Sequence, residues 1–418
     1  MSREMKDSGI EWIGKIPEDW EVVKLGVVAD ISTGNTPTDP DNIKYSKSEG
    51  VDWLKTNNLL GVDGVSNSSL KIKEQYISEA RLTNPRSVLI TCIGDIGKLG
   101  YTSKPVAFNQ QINSITFTKD IVYWKYGMYA LYSQREQQES FANGNVLKIL
   151  NRENQKKVVI TVPKDINKQI KISNALDKIC LYIRKLVDKT QLSIKELKKY
   201  KQSLITEAVT KGLDSTVEMK DSGVEWIGDI PKHWNINKIK YNTSTIDTKK
   251  DFVKEDIYIG LENVLSYEGR INDYGKLVKD SKEKYFEKGN ILYSKLRPYL
   301  AKAFIADITG SCSGEFIVFE SFKGNKRYLL YWLISQLFTD FINATSYGAK
   351  MPRSSWDYIK ETSIPRPPKR EENEIVSYLD DKLSQINKLI ENKTKIIKEL
   401  ETYKNSLIYE YVTGKKEV

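Results

Sequence analysis

The sequence contains an internal repeat, in which two halves share similar segments in the same order. Residues 5–20 read MKDSGIEWIGKIPEDW and residues 219–234 read MKDSGVEWIGDIPKHW, so that twelve of sixteen positions are identical. Later in each half, KELKKYKQSLITEAVT at 195–210 matches KELETYKNSLIYEYVT at 398–413, with eleven identical positions. Solenoid proteins repeat short units three or more times, whereas this chain repeats a unit of roughly 200 residues twice. The sequence therefore predicts two copies of one scaffold.

The segment between the two shared motifs differs in each half. The first motif pair is offset by 214 residues and the second by 203, so the segment is 11 residues shorter in the second half. Resemblance between the halves nearly disappears there. Copies that are alike at their ends and divergent between them predict a shared scaffold that carries two different recognition surfaces.

Length and composition set limits on the class of protein. A chain of 418 residues is long enough for two or three domains with their own cores. Lysine and arginine outnumber the acids by 65 to 55, and the resulting charge of +10 favours polyanionic partners. Three scattered cysteines and one histidine provide neither a disulfide framework nor a zinc-ligand spacing, which is typical of a reducing cytosol.

Each half ends in a long predicted helix. After Pro163, and again after the Pro365–Pro368 cluster, apolar residues recur at alternating spacings of four and three, which is a heptad pattern. Asp165 is a candidate cap for the first helix, and Gly212 and Gly414 stand where helix ends are expected. Each helix is predicted to span about 40 residues, or roughly 60 Å. The seam consists of Ile172, Leu176, Ile179, Ile183, Leu186, Leu197, Leu204, Ile375, Leu379, Ile386, Leu389, Ile396, Leu400 and Leu407.

Two helices of similar length and seam in one chain are expected to pair as an antiparallel coiled coil that acts as a spacer. The alternative is that each helix packs along its own domain, and the heptad pattern is compatible with both. The predicted domains are residues 1–163 (head 1), 164–212 (spacer helix 1), 213–368 (head 2) and 369–418 (spacer helix 2).

The heads combine short strands with one helical stretch each. VDWL at 51–54, SVLITCI at 87–93 and SITFT at 114–118 are β-like runs separated by turns. Aromatic-rich stretches at about 121–141 and 328–342 predict one helix in each head. The expected fold class is therefore α+β, with two heads in an internal pseudo-repeat and a long helix after each.

The order of these segments resembles that of the target-recognition domains in type I restriction-modification specificity subunits. WIGKIPEDWEVVKL and WIGDIPKHWNINKI resemble the opening segment of such domains. LITCIGDIGKLGY and ILYSKLRPYLAKA are similar to the central strand and turn, and FNQQINSI and CSGEFIVF to the strand that follows. NGNVLKILNRENQKKVVITVP and YGAKMPRSSWDYIKETSIPRPP resemble the closing glycine loop and proline exit. The resemblance covers essentially the whole chain.

One departure concerns the glutamate-glutamine pair that often opens the helices of this family. Only half of the pair is present in each copy, as Gln169 in the first and Glu371 in the second. This departure concerns a helix cap and does not affect the family resemblance.

The resemblance implies a function without catalytic chemistry in this chain. Each head would read one half of a bipartite DNA target, and the helices would set the gap and dock two methyltransferase subunits. Restriction would require further motor-nuclease subunits. S-adenosylmethionine, ATP and magnesium would then bind to partner subunits, with no cofactor or metal on this chain.

Reading DNA requires cations for phosphates and forked donors or amides for base edges. Several side chains in predicted loops meet this description. In head 1 they are Lys55, Asn57, Asn58, Lys98, Asn109, Gln110, Gln111, Lys148 and Arg152. In head 2 they are Lys295, Arg297, Tyr299, Lys302, Lys350, Arg353 and Ser354.

Each candidate also has an ordinary structural interpretation, as a solvated surface residue or a turn former. Arg297 beside Pro298 is as compatible with a turn tied to a buried acid as with DNA binding. The loops at Gly144 and Gly348 either approach a DNA backbone or only turn the chain. DNA binding is therefore inferred from the whole set of residues and not from any single one.

Catalytic motifs are not convincing. GDIGKLG at 94–100 has Leu99 where a phosphate-binding loop requires Ser or Thr, and is predicted to be a turn. Pro367-Pro368 lacks the flanking residues of an adenine methyltransferase motif, and His233 is replaced by Asp19 in the other copy. An enzyme with an unrecognised site, and a free-standing DNA-binding regulator or scaffold, are the competing hypotheses. The sequence also predicts a cytoplasmic protein, because it shows neither a signal peptide nor a membrane span.

Overall fold

Each of the two long helices contributes its ends to two different structural units. The computed structural model describes residues 4–39, 41, 43–348 and 350–418. Unit 1 comprises residues 1–189 and 395–418, and unit 2 comprises residues 190–394. Each unit therefore contains one head, the first part of the helix that follows it, and the last part of the other long helix.

Unit 1 contains the first set of strands and short helices. Its strands are β1 (Met5–Asp7), β2 (Lys15–Pro17), β3 (Trp20–Lys24), β4 (Ala29–Thr33), β5 (Tyr45–Ser46), β6 (Val51–Leu54), β7 (Lys71–Ile72), β8 (Ser87–Thr91), β9 (Leu99–Thr102), β10 (Ala107–Phe108), β11 (Ile112–Phe117) and β12 (Val159–Pro163). Its helices are α1 (Leu25–Val28), α2 (Trp124–Ser133), α3 (Arg135–Ser140), α4 (Arg152–Gln155) and the first part of α5 (Ile166–Lys211).

Two four-stranded sheets form the centre of head 1, with strand orders β4-β11-β8-β9 and β10-β6-β7-β5. Strand β8 is internal to its sheet, and all five of its residues are buried. This explains the continuous apolar run of Val88, Leu89 and Ile90, because a strand that is covered on both faces does not alternate. Strands β12 and β3 pair antiparallel, so the strand that leaves the head returns beside the strand that opens it.

Unit 2 repeats this arrangement. Its strands are β13 (Met219–Asp221), β14 (Asp229–Pro231), β15 (Asn235–Lys238), β16 (Thr243–Ile246), β17 (Lys249–Phe252), β18 (Ile257–Ile259), β19 (Gly275–Lys276), β20 (Ser281–Phe286), β21 (Ile291–Ser294), β22 (Ala303–Ile305), β23 (Gly310–Cys312), β24 (Phe316–Phe322) and β25 (Ser363–Arg366). Its helices are α6 (Lys326–Ile334), α7 (Gln336–Ala344), α8 (Trp356–Ile359) and the first part of α9 (Lys369–Val412). The sheet β16-β24-β21-β22 corresponds to β4-β11-β8-β9, and a second sheet contains five strands in the order β17-β20-β23-β18-β19.

The single helix predicted in each head is interrupted in the structure. Helix α2 gives way to α3 at Gln134, and α6 gives way to α7 at Ser335. Ser335 has an extended backbone, and its hydroxyl accepts a hydrogen bond from the backbone N–H of Phe338. The apolar periodicity continues across this break, which explains why the sequence pattern did not show it.

The long helices begin and end at the residues that the sequence indicated. The Asp165 carboxylate accepts a hydrogen bond from the Asn167 N–H at 2.9 Å, just before α5. Gly212 and Gly414 follow the helix ends with φ values of +76° and +71°, the left-handed conformation that favours glycine. Helices α5 and α9 contain 46 and 44 residues, somewhat more than the predicted 40.

Within each unit the two helix segments run antiparallel. In unit 2, the Lys201 ammonium donates to the Asn387 side chain at 3.0 Å, while Gly212 lies next to Glu371. In unit 1, Thr161, which precedes α5, bonds to the carbonyl of Val412 at the end of α9. The expectation of antiparallel helices is confirmed inside each unit.

The seam is buried toward the helix ends and open toward their middles. Ile172, Leu176, Ile183, Leu204, Ile375, Leu379, Ile386 and Leu407 are buried, and Ile179, Leu186, Leu197 and Leu400 are half-buried. Leu389 and Ile396 depart from the predicted seam, because they are 49% and 46% exposed. A straight α-helix rotates by about 20° per heptad relative to a 3.5-residue repeat, which shifts burial to neighbours such as Cys180 and Leu383.

The two repeated motifs contact each other, which accounts for their likeness. In unit 1, a Cβ added to Gly414 would lie 2.4 Å from the Pro17 ring and 3.3 Å from Trp20. In unit 2, a Cβ added to Gly212 would lie 3.2 Å from the Trp234 ring. Each opening motif therefore packs against the end of the long helix that follows the other head, and both partners of the contact are retained in each copy.

The residues of the incomplete glutamate-glutamine pair connect helix to head rather than only cap a helix. Gln169 is buried, accepts from the Tyr123 N–H at 2.8 Å and donates to the carbonyls of Ile121 and Pro163. Glu371 accepts from the Trp234 indole N–H at 3.0 Å and lies 2.7 Å from the His233 ring nitrogen. In each copy, one residue of the glutamate-glutamine pair therefore connects the long helix to its head, Gln169 in the first and Glu371 in the second.

Candidate nucleic-acid interface

The head 1 candidates gather where several strands end. The turn after β6, the turn after β8 and the turn before β11 are joined by backbone hydrogen bonds. Asn109 N–H donates to the Leu54 carbonyl at 3.0 Å, and Cys92 N–H donates to the Gln111 carbonyl at 2.8 Å. The residues that were widely separated in sequence therefore share one end of the head.

Four of these candidates are engaged inside the protein. Asn58 is 8% exposed, accepts from the Lys55 N–H and donates to Ser66 and to the Asn67 carbonyl. The Lys98 ammonium donates to the Thr56 carbonyl at 2.9 Å. Asn109, 6% exposed, and the half-buried Gln111 bond to each other. These contacts hold the turns in place.

The remaining candidates of head 1 are exposed. The Lys55 ammonium lies 5.1 Å from the centre of the Trp53 ring, and Gln110 accepts from the Thr36 hydroxyl. The side chains of Asn57, Lys148 and Arg152 make no hydrogen bond or ion pair with any residue in the described ranges. These five residues expose cationic and amide groups to solvent.

Head 2 places its candidates around the turn after β21 and the glycine loop near Gly348. Arg297 has a left-handed backbone with φ +50°, and its N–H donates to the Pro352 carbonyl at 2.7 Å. Its guanidinium forms no ion pair with a described residue. The alternative interpretation, in which Arg297 ties the turn to a buried acid, is therefore not supported by the described part of the chain. Tyr299 and Lys350 are exposed.

One internal arrangement recurs in both heads. Lys302 donates to the Leu261 carbonyl at 2.6 Å, as Lys98 does to Thr56, and burial lowers its pKa. Asn263 accepts from the Gly260 N–H at 2.8 Å, as Asn58 does from Lys55. Because the two heads differ in sequence but keep this arrangement, Asn58, Lys98 and Lys302 are best interpreted as supports for the recognition turns.

A polar cavity of about 310 Å³ lies in head 2 between β16, β24 and the glycine loop. The Ser354 hydroxyl lines it, is buried, and has no hydrogen-bond partner among the described residues. Arg353 projects there, with Nη2 at 2.6 Å from Oε1 of Glu315. Lys295 lines the same cavity and forms no ion pair with a described residue. The cavity thus combines a forked cation, a lysine and an unpartnered hydroxyl.

Sequence reasoning missed the acidic residues of this cavity and one lysine. The Lys284 ammonium, 7% exposed, donates to the Phe316 carbonyl at 2.9 Å and lies 2.7 Å from Asp247. The hydrogen bond that the Asp247 carboxylate accepts from Lys284 lowers the pKa of Asp247. The isolated acid in SGEF, just before the apolar strand β24, was the available signal for Glu315.

The GDIGKLG segment is a turn, as predicted. Gly94 and Gly97 have φ values of +81° and +80°, and the Lys98 side chain points to protein rather than to an open phosphate cradle. The three cysteine thiols are buried, and burial raises the pKa of Cys92 and Cys180 to about 11 and that of Cys312 to about 12. Such thiols stay protonated at neutral pH and are poor nucleophiles.

Within residues 4–39, 41, 43–348 and 350–418, no cluster of three or more His, Cys, Asp or Glu side chains is arranged to hold a metal ion. No helix in these ranges is both long and apolar enough to cross a membrane.

Comparison with known families gives the assignment. The family described as type I restriction modification DNA specificity domain matches residues 17–198 and again residues 226–402, which together make up most of the chain. The chain belongs to this family. The two matches coincide with the two copies of the internal repeat, so the chain is a type I specificity subunit with two target-recognition domains.

Relatives within the family are distant but extend along nearly the whole chain. The specificity subunit of the type I restriction enzyme EcoDI from Escherichia coli is 22% identical over 90% of this chain and 85% of its own length. The MjaVIII specificity subunit from Methanocaldococcus jannaschii is 24% identical, over 96% of this chain and 94% of its own.

Solved structures agree on the fold. A structure described as the basis of complex assembly and conformational transition of the type I R-M system has a TM-score of 0.72 at 13% identity, covering 96% of this chain and 99% of that chain. The HsdS subunit from Thermoanaerobacter tengcongensis has a TM-score of 0.52 at 14% identity, covering 96% and 98%. At these identities, the likeness establishes the fold alone.

Proposed function

We propose that this chain selects the DNA sequence for a type I restriction-modification complex, and that each head reads one half of a two-part target. The observation that carries the proposal is the presence of exposed cations at the same point of the scaffold in both heads, joined in head 1 by exposed amides. The side chains themselves differ. Head 1 exposes lysines and amides such as Asn57 and Gln110, whereas head 2 exposes arginines such as Arg297 and Arg353.

These sets favour different base edges. Amides pair well with adenine, and a forked guanidinium pairs well with guanine. Lys148, Arg152 and Lys350 are suited to phosphates, which hold a protein in register without reading sequence. Two heads with different sets therefore read two different half-sites.

The long helices are proposed to set the gap between the half-sites and to dock two methyltransferase subunits. Large apolar side chains stay exposed along them, including Leu192, Tyr200, Leu389, Ile396 and Tyr403. Exposed apolar residues that recur along one element favour a protein-binding surface. The complete complex would include restriction subunits as well.

The chain itself is proposed to be non-catalytic. S-adenosylmethionine, ATP and magnesium would bind to the partner subunits. The buried thiols and the internal hydrogen bonds of Lys98 and Lys302 support this, because the side chains closest to catalytic types serve the fold. A cytoplasmic location fits these partners, which act on intracellular DNA.

The proposal is tested by selecting DNA from a randomised duplex library with the chain bound to its cognate modification subunit. We expect enrichment of one bipartite motif with a fixed gap. The modification subunit alone is the control and should enrich no such motif. Enrichment of a single continuous motif would instead favour the free-standing regulator, and S-adenosylmethionine binding by the isolated chain would favour an enzyme.

A further inference from the structure

The glycine loop of head 1, residues 143–149, is a tightly closed turn. Asn143 and Ile149 exchange backbone hydrogen bonds of 2.9 and 2.8 Å. Gly144 has φ +105°, and a Cβ added there would lie 2.3 Å from the Leu147 carbonyl oxygen. The loop therefore requires glycine, and its tip is formed by Val146 and Leu147.

This tip exposes apolar side chains. Val146 is fully exposed, and Leu147 is 53% exposed. A single exposed apolar residue is ordinary, but two adjacent ones on a constrained turn indicate a surface that is covered in a complex. The exposed cation Lys148 follows directly and Arg152 starts the next helix, which gives the tip the charge that a polyanion requires.

The glycine loop of head 2, residues 347–353 without the undescribed position 349, has the same construction. Tyr347 and Arg353 exchange backbone hydrogen bonds of 3.0 and 2.9 Å. Gly348 has φ +97°, and a Cβ added there would lie 3.1 Å from the Met351 carbonyl oxygen. Met351 therefore occupies the place of Leu147, and it is 57% exposed. Although the loop sequences differ, both keep a long apolar side chain there.

Both loops are anchored to the turns that carry recognition candidates. In head 1, Gly94 N–H donates to the Lys148 carbonyl at 2.9 Å. In head 2, Arg297 N–H donates to the Pro352 carbonyl, and Ser354 N–H donates to the Lys295 carbonyl at 3.0 Å. The apolar tips thus belong to the same end of each head as the exposed cations.

We infer that Leu147 and Met351 are wedges that insert between neighbouring base pairs, one in each half-site. Leu and Met are among the side chains that proteins insert between base steps, and such wedges unstack and kink the duplex. The flanking cations would neutralise the phosphates on either side of the step. This inference rests on the proposed function and adds that the heads deform the DNA that they read.

The test uses the chain in complex with its modification subunit and a duplex that carries the selected motif. The fluorescent base 2-aminopurine is placed at each successive step of the half-sites, because its emission rises when stacking is lost. Apart from the adenine that is the target of methylation, we expect one step in each half-site to brighten on binding. Leu147→Ser should abolish the signal in one half-site only and weaken DNA binding at least about tenfold. Met351→Ser should do the same in the other half-site.

Two further variants make the test specific. Leu147→Met keeps a long apolar side chain and should retain the signal, whereas Val27→Ser changes another exposed apolar residue of head 1 and should have no effect. Extrusion of the target adenine by the modification subunit would give a separate signal, which every variant should keep.

Three results would overturn the inference. The first is a complex that methylates its motif although no 2-aminopurine signal is lost in Leu147→Ser. This includes the case in which Leu147→Ser changes only the preference for a thymine methyl group. The second is a Leu147→Ser protein that no longer binds the modification subunit but still binds DNA normally. That result would show that the tip of the loop contacts protein. Absence of any sequence-specific methylation by the wild-type complex would remove the proposed function and the inference together.

Discussion

Nη2 of Arg353 lies 2.6 Å from Oε1 of Glu315, at the polar cavity of head 2. The pair leaves the other N–H groups of the guanidinium available. A carboxylate that holds one edge of an arginine restricts the direction of its fork, which suits bidentate recognition of guanine. Glu315 is therefore a positioning residue for Arg353 in our account.

The first prediction concerns this pair. Arg353→Lys keeps the charge but removes the fork, so it should relax discrimination at one base position by about 1–3 kcal/mol. Glu315→Gln should relax the same position to a smaller extent. The base preferences are measured by sequencing duplexes selected from a random library. Arg370→Lys, which alters an exposed arginine of α9, is the control. Equal loss of binding to all sequences would show that Arg353 contacts phosphate only.

The neighbours Asn57 and Asn58 separate recognition from support. Asn58→Ala removes a buried side chain with three hydrogen bonds and should lower the free energy of unfolding by about 1–3 kcal/mol, without changing base preference. Asn57→Ala should leave stability nearly unchanged and alter binding. Urea unfolding and library selection measure the two effects. A stable Asn58→Ala protein with changed base preference would contradict this division.

Glu372 lies 203 residues after Gln169 and therefore occupies the corresponding position in the second copy, where it predicts a pH dependence. Burial raises the pKa of Glu372 above the usual range of glutamate. An acid with a raised pKa in the folded state binds its proton more tightly there, so stability declines as pH rises through that pKa. Glu372→Gln, the residue type of the other copy, should remove this decline, which begins near the ordinary glutamate pKa of 4.5, and stabilise the protein at neutral pH.

Urea unfolding at several pH values measures this effect. Glu374→Gln changes a half-exposed carboxylate on the same helix and should keep the wild-type dependence. If the free energy of unfolding of Glu372→Gln depends on pH as in the wild type, Arg366, 3.6 Å away, compensates for the buried charge.

The spacer hypothesis predicts the effect of longer helices. Insertion of seven residues after Thr190 and after Lys393 preserves the heptad phase and adds roughly 10 Å to each helix. We expect the gap to lengthen by about three base pairs at 3.4 Å each, while both half-sites stay the same. The motif selected by the variant measures this directly. A gap of unchanged length would mean that other contacts determine the spacing.

Much of the fold followed from the repeat and the heptads. The opening motif, the strands SVLIT and SITFT, and both helix ends were predictable because local patterns dominate there. The breaks at Gln134 and Ser335 were not, because apolar periodicity continues through them. Exposure of Leu389 and Ile396 also depends on how far the partner helix follows the seam, which no local pattern specifies.

The candidate interface was predictable as a region but not residue by residue. Asn58 and Lys98 are of residue types that read DNA, yet their polar groups form hydrogen bonds that stabilise turns. Asn57, one position away from Asn58, is exposed. Which role a polar side chain takes depends on backbone groups from distant segments, such as the Thr56 carbonyl that accepts from Lys98. Only the folded chain brings these groups together.

The central claim is that this chain determines a two-part DNA target, and methylation mapping tests it most directly. The chain is expressed with its cognate methyltransferase subunit in a host free of adenine methylation, and modified adenines are mapped at single-base resolution. The account predicts one bipartite motif with a fixed gap, which disappears when either gene is left out. Soluble, co-purified protein that leaves the DNA unmethylated, or methylation that is independent of this chain, would contradict it.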